Sequence, residues 1–218
     1  MDVKNFSYYE YKYIVRHSSF HFVKSVLDHF YGSSDPYPSG VVDSIYFDTP
    51  DREFYRQCLN GEEHKCKFRI RGYGNHQYSQ IHQKIKHLSG VSKYKAKIKT
   101  DRPTGFWHEL VPQDSDDEQF SMIMHKSQPF GILYPSVRIQ YERFRYRQYD
   151  DRVTFDTHIE AFAVPGGLPC QQVHTTLDHH VLEIKTTRLR PSLPFMGLIK
   201  LQQVSYSKFM LGLNQLNP

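Results

Sequence analysis

The sequence predicts a β-rich α+β fold, a closed antiparallel β-barrel of about eight strands with helices packed outside. Three observations lead there. Stretches alternating apolar and charged residues with period two recur along the chain, with few long helical patterns between them. Aromatic residues make up 15% of the chain, which suits strands better than disorder. The charges on the alternating stretches are mostly basic: in KCKFRIRGY, Lys65, Lys67, Arg69, Arg71 and Tyr73 share one strand face, and Cys66, Phe68 and Ile70 the other. Cations crowded on one face repel unless an anion sits among them. Several such strands imply a barrel or deep groove with a cationic interior that holds a polyanion, and closure removes the exposed edges.

EYKYIV is the first strand, with Glu10 and Lys12 on one face and Tyr11 and Tyr13 on the other. A helix follows, capped by Ser18 or Ser19, with Val23, Val26, Leu27 and Phe30 as its apolar stripe and Gly32 as its stop. SSDPYPSG is a loop, VVDSIYFDT a strand, and the segment to LNG a short helical turn. EHKCKFRIRGYG and YSQIHQKIKH pair through GNHQ, and KYKAKIK follows the LSG turn with Lys93, Lys95, Lys97 and Lys99 on one face. The stretch from VPQDSDDEQF to SQPFG, an acidic loop and short helical segment, lies outside the sheet. PSVRIQYERFRYRQY is a long strand, turning at Asp150-Asp151 into RVTFDTHIEAF, where Arg152, Thr154, Asp156, His158 and Glu160 share a face. PGGLP is a turn and HVLEIKTT the last strand. The stretch from Pro194 to Leu213 has helical spacing.

The 218 residues suffice for one domain, 1–218, with a sizeable core, and no linker marks a second. A net charge of +5 favours anionic partners. Cys58, Cys66 and Cys170 are an odd number without pairing spacing, which suits a reducing compartment. No apolar run has the length of a membrane span, and MDVKNFSYYEYKY lacks a signal-peptide core, so the expected location is cytoplasmic. The 13 histidines show no metal-ligand spacing, and most are surface or core residues. His158 differs in sharing a face with Arg152 and Asp156, where Asp156 is placed to orient Arg152. Asp48 reads as a turn or capping residue, and Cys58 and Cys66 as inert thiols.

One strand face after another contributes to a single charged list: Glu10, Lys12, Lys67, Arg69, Arg71, Lys84, Lys86, Lys93, Lys95, Arg143, Arg152, Glu183 and Lys185. Lysine and arginine neutralise phosphate and stabilise a phosphoryl group in transfer. A carboxylate among them repels such a ligand unless it holds a hard divalent cation or pairs with a neighbouring lysine or arginine. Glu183 is the first candidate for a metal, Glu10 the second.

EYKYIV, SIYFDT, KFRIRGYG, YERFRY, RVTFD, VLEIK and YSKF, in this order from about Tyr9 to Leu213, resemble the catalytic domain of the vacuolar transporter chaperone (VTC) family, polyphosphate polymerases of the triphosphate tunnel metalloenzyme superfamily. The resemblance implies an antiparallel tunnel, a divalent cofactor (Mn2+ or Mg2+), and transfer of the ATP γ-phosphate to a polyphosphate chain with release of ADP. It implies that Lys12, Arg69, Arg71, Lys84 and Lys95 grip the triphosphate, that Arg143 and Arg152 complete the ring, and that Glu183 takes the metal. Lys67, Lys86 and Lys185 join them as substrate-binding cations, Glu10 as a second metal carboxylate, and Ser207 and Lys208 as a phosphate contact from a C-terminal helix. One departure stands out: HQKIK puts His82 where the family carries glutamate.

Other functions fit the same residues. A triphosphatase of the superfamily would release phosphate or pyrophosphate. A non-catalytic module would bind polyphosphate or inositol phosphates without turnover. A single-stranded nucleic-acid binder would need aromatics among the cations, whereas most aromatics fall on other faces. A membrane partner that exports the product is compatible with the resemblance.

Overall fold

Alternation becomes strand pairing in the computed structural model, which describes residues 9–32, 35–74, 78–88, 90–100, 103–112, 116–148, 150–164, 173–191, 195–198 and 201–216. The strands are β1 (Tyr9–Arg16), β2 (Ser39–Asp48), β3 (Lys65–Tyr73), β4 (Tyr78–His87), β5 (Gly90–Lys99), β6 (Val111–Pro112), β7 (Tyr134–Gln148), β8 (Asp151–Ala163), β9 (His174–Thr176), β10 (His179–Thr186) and β11 (Gln202–Gln203). The helices are α1 (Phe20–Tyr31), α2 (Glu53–Leu59), α3 (Glu118–Ser127) and α4 (Lys208–Leu216). The PGGLP turn and Cys170 lie outside the described residues, as does most of GNHQ.

The β-rich α+β class holds, but two expectations are corrected. The strands pair in the order β11-β1-β10-β8-β7-β2-β3-β4-β5-β6, with β9 on β8, so the sheet has more than eight strands. Among the described residues no pairing joins β11 to β6, so the expected closed barrel is an open hydrogen-bonded path. Both terminal strands are two residues long, and β6 contains Pro112, which has no amide hydrogen to donate. The extra strands, β6, β9 and β11, are too short to carry a periodic signal. No helix among the described residues is long and apolar enough to cross a membrane.

The chain divides into two compact units, and β2, β7 and β8 contribute residues to both. The first contains residues 1–41, 141–159 and 176–206. Its core gathers Val23, Leu27 and Tyr31 of α1 with Tyr13, Val15, Val153, Phe155, Leu182, Ile184 and Phe195. Of the predicted stripe of α1, Val23 and Leu27 are buried, and Val26 and Phe30 pack half-buried against this core. Ser19 occupies the N-cap without a side-chain cap bond, and Gly32 ends the helix at φ 57° with its N–H on the Asp28 carbonyl.

The second unit contains residues 42–140, 160–175 and 207–218. The Trp107 ring packs edge-on against Phe47 and Phe68, and Phe54 also lies against Phe68. Asp48 does cap: its carboxylate accepts the N–H groups of Thr49, Phe54 and Tyr55 and anchors the start of α2. The expected C-terminal helix begins only at Lys208, with a turn at 195–198 and β11 before it. Helix α4 comes so near β7 and β8 that a Cβ on Gly212 would lie 2.5 Å from Ile139 Cδ1 and 3.0 Å from Ala161 Cβ.

Candidate functional site

In the first unit, antiparallel pairing puts Glu10 opposite Lys185 opposite Arg152, and Lys12 opposite Glu183 opposite Thr154. Between β1 and β10, opposite charges therefore alternate along and across the strands. Lys12 Nζ is 2.9 Å from Glu10 Oε1 and 3.9 Å from Glu183 Oε2. Lys185 Nζ is 2.5 Å from Glu183 Oε1 and 3.9 Å from Glu10 Oε2. Lys12 also donates to the Tyr206 carbonyl at 3.2 Å. Glu183 is buried, and the other three are half-buried.

Beside this quartet lies a cavity of about 190 Å³ lined in part by Arg143, Arg145, Arg147, Arg152, Glu183 and Lys185. Arg152, expected to complete the ring of phosphate-gripping cations, is exposed to solvent. The fully buried Asp156 carboxylate takes two hydrogen bonds from Arg143, from Nε at 2.6 Å and from Nη2 at 2.7 Å. Burial works against the Arg143 charge, but Asp156, with Tyr141 and Glu183, holds its pKa well above the ordinary value. Arg145 and Arg147 were not singled out by sequence reasoning, although the period-two run from Arg143 carries them onto the same face.

His158 is exposed, with left-handed backbone at φ 48°, and its Nδ1 is 3.6 Å from Glu142. Its ring belongs to a cluster with Phe20 and the buried His180.

In the second unit the cations of β3, β4 and β5 form cross-strand rows. Tyr46 of β2, Arg69, His82 and Lys95 make one row; Lys67, Lys84 and Lys93 make the next. Arg69 donates from Nη1 to the Tyr46 hydroxyl at 3.1 Å and from Nη2 to His82 Nδ1 at 3.3 Å. Arg71 is buried and donates from Nε to Ser44 Oγ at 2.9 Å. Burial pushes the Tyr46 phenol up, but Arg69, Arg71 and Lys67 outweigh it and bring it down to about 7. Tyr46, stacked on Phe209, is a site residue that its sequence context, an apolar-looking strand, did not reveal.

Lys67 Nζ donates to Ser207 Oγ at 2.8 Å, and that hydroxyl also accepts the Met210 N–H, so Ser207 caps α4 while holding a site lysine. Lys208 opens α4 and is half-buried. Lys86, opposite Lys65 and Val91, is exposed, as is Lys95. Burial drives the Cys66 thiol up to about 11, in keeping with an inert cysteine.

Among the described residues no group of three or more histidines, cysteines or carboxylates is placed to hold a metal. Among these residues no closed protein cage is built. The donor set fits the other mode of a hard cation, one or two carboxylates completed by substrate phosphates and water. Glu183, with Glu10 beside it, would serve once a ligand draws Lys185 and Lys12 away.

The family model described as the VTC domain matches residues 7–217. A candidate adenylate cyclase from Bacillus halodurans is similar in structure, with TM-score 0.52 and 14% identity over 82% of this chain and 80% of that one. A candidate adenylyl cyclase from Hippeastrum, described as revealing a dominant triphosphatase activity, is similar at TM-score 0.45 and 15% identity over 82% and 79%. A protein from Pyrococcus horikoshii is similar at TM-score 0.41 and 13% identity over 96% and 90%. No curated relative matches the sequence.

Proposed function

Because the chain belongs to the VTC domain family of the triphosphate tunnel metalloenzyme superfamily, we propose that it is an ATP-dependent polyphosphate polymerase. It transfers the ATP γ-phosphate to the end of a polyphosphate chain and releases ADP. The observation that carries the reading is the Glu10–Lys12–Glu183–Lys185 quartet beside an arginine-lined cavity, a carboxylate set among phosphate-binding cations. The reading takes residues 1–218 as one domain, and the family match includes residues of both units.

The attacking group is a terminal phosphate oxygen, already anionic at neutral pH, so no side chain has to remove a proton. A P–O bond forms to the γ-phosphorus as the bond to the β–γ bridging oxygen breaks, and the electron pair leaves on ADP. The protein supplies alignment and charge neutralisation. Lys12, Arg143, Arg152 and Lys185 neutralise the phosphates in the first unit. Lys67, Arg69, Arg71, Lys84, Lys86 and Lys95, with Ser207 and Lys208, do so in the second. A divalent ion (manganese or magnesium) held by Glu183 and Glu10 together with the phosphates would supply further neutralisation.

Incubation of the protein with ATP and manganese, with products resolved on a gel and ADP quantified, tests the reading. The expected result is a polyphosphate ladder with ADP, lost in Arg71→Ala. Free phosphate without polymer would make the chain a triphosphatase. Binding without turnover would make it a non-catalytic polyphosphate or inositol phosphate module.

A further inference from the structure

Strands β3, β4 and β5 read KCKFRIRGY, YSQIHQKIKH and GVSKYKAKIK, with no aspartate or glutamate among them. Their register sets Lys67, Lys84 and Lys93 in one row and Arg69, His82 and Lys95 in the next. Where β1 and β10 alternate charge sign, these rows run from cation to cation, and in the second row a histidine stands between them.

The state of that histidine follows from its partners. Arginine has no acceptor, so His82 Nδ1 accepts the hydrogen bond from Arg69 Nη2 at 3.3 Å. The ring proton therefore sits on Nε2, which donates to Gln80 Oε1 at 3.1 Å. Both nitrogens are committed in one neutral tautomer. Burial first, then Arg69, Arg71, Lys95 and Lys93, push its pKa down to about 2, so the ring stays uncharged at any working pH.

We propose that the β3–β5 face holds a linear chain of phosphate groups through lysine and arginine alone, without a divalent metal, and that His82 is the positioning residue that keeps Arg69 directed along that face. A metal that bridges protein and phosphate is ordinarily held by one or two carboxylates on the protein side. Where the strands supply none, phosphate oxygens meet N–H donors directly, and the guanidinium offers a paired fork of them. His82 gives Arg69 a fixed acceptor on one edge and adds no negative charge to the row. Neighbouring strands lie about 4.8 Å apart, so the cations of a row can serve adjacent groups of one extended ligand. The rings in the row are already engaged, His82 by Arg69 and Gln80 and Tyr46 by Arg69 and Phe209, which leaves no open stacking platform for bases and favours inorganic polyphosphate over a single-stranded nucleic acid.

Choosing polyphosphate as the ligand rests on the polymerase reading; the absence of a metal requirement is a separate matter of binding. The test is calorimetric titration of the full chain with inorganic tripolyphosphate, in EDTA and in magnesium. Wild-type affinity should persist in EDTA. His82→Glu, which sets a carboxylate between Arg69 and Lys95, should weaken metal-free binding by about tenfold or more and regain part of it with magnesium. His82→Leu should weaken binding, while His82→Asn, which returns an acceptor to Arg69, should restore it.

Loss of wild-type binding in EDTA, or an undiminished metal-free affinity in His82→Glu, overturns the metal-free site. Equal affinities for His82→Leu and His82→Asn overturn the positioning role. Equally tight binding of an oligothymidylate overturns the choice of ligand. ATP turnover is read apart from these titrations. No polymer with intact metal-free binding defeats the polymerase reading alone; polymer formation with binding that vanishes in EDTA defeats this inference alone.

Discussion

Arg143 and Asp156 face each other through two parallel hydrogen bonds of 2.6 and 2.7 Å, with the carboxylate fully buried. Removing Arg143 strands the buried Asp156 charge and should cost about 3–5 kcal/mol, and removing Asp156 takes the main counter-charge from a half-buried guanidinium, at a smaller cost. Arg143→Met or Asp156→Leu alone should therefore lower the urea midpoint markedly. The double variant should recover most of the stability but not the polymerase activity, because the cavity has lost a phosphate-binding cation. Recovery of both would show that Arg143 serves only the fold.

Glu183 stands between Lys12 and Lys185. Glu183→Gln should act in opposite directions on two readouts. Metal-dependent turnover should fall by about two to three orders of magnitude, by analogy with other preorganised electrostatic groups. Metal-free phosphate binding should tighten, because the two lysines lose one of their two counter-charges and keep only Glu10. A metal titration indistinguishable from wild type would remove Glu183 from any metal role.

His180 is buried beside His17, His158 and His179, and burial first, then these neighbours, lower its pKa to about 4. His82 is lowered further, to about 2. In the unfolded chain both take a proton near their ordinary value, whereas the folded chain refuses it. Their stability contribution is thus complete above pH 6.5, and is lost as pH falls from there towards about 4 for His180 and about 2 for His82. Each adds a slope of at most about 1.4 kcal/mol per pH unit. Denaturation midpoints measured from pH 7 to pH 5 should decline, and His180→Leu should flatten the decline.

Tyr46 donates nothing to Arg69; it accepts from it, with its own pKa near 7. Below that pH the phenol is neutral and Arg69 keeps its full charge for a ligand. Above it, a phenolate offsets that charge. Tripolyphosphate affinity should therefore weaken as pH rises from 6 to 8.5, and Tyr46→Phe should remove the dependence. An identical pH profile in the variant would leave the phenol without a part in binding.

An alanine in a helix interior ordinarily stabilises it relative to glycine by about 1 kcal/mol. At position 212 the sign should reverse. The added Cβ would meet Ile139 Cδ1 at 2.5 Å and Ala161 Cβ at 3.0 Å, and such overpacking costs about 1–3 kcal/mol. A thermal melt of Gly212→Ala should show a lower midpoint than wild type.

Period-two alternation was enough to read the long strands and to place Glu10, Lys12, Glu183 and Lys185 on strand faces. It could not give the partner of Asp156, because the choice between Arg152 on its own strand and Arg143 on the neighbouring one depends on how the two strands pair across their turn. Arg145 and Arg147 were legible in principle, being further steps of the same alternation. Tyr46 was not: an aromatic residue in an apolar strand carries no mark of the guanidinium that will meet its hydroxyl. The open hydrogen-bonded path was hidden for a related reason, since two-residue strands such as β6 and β11 have no period to detect.

The quartet in the first unit also fixes how the two ends of the sequence find each other. With Glu10 opposite Lys185 and Lys12 opposite Glu183, the strands β1 and β10 match charge for charge. A slip of one residue would turn every side chain of the strand to the wrong face. A slip of two would keep the faces but set Glu10 against Glu183, or Lys12 against Lys185, and like charges directly opposite are destabilising. The residues proposed to hold metal and phosphate thus double as a molecular key for folding, one that admits a single alignment of segments far apart in the chain.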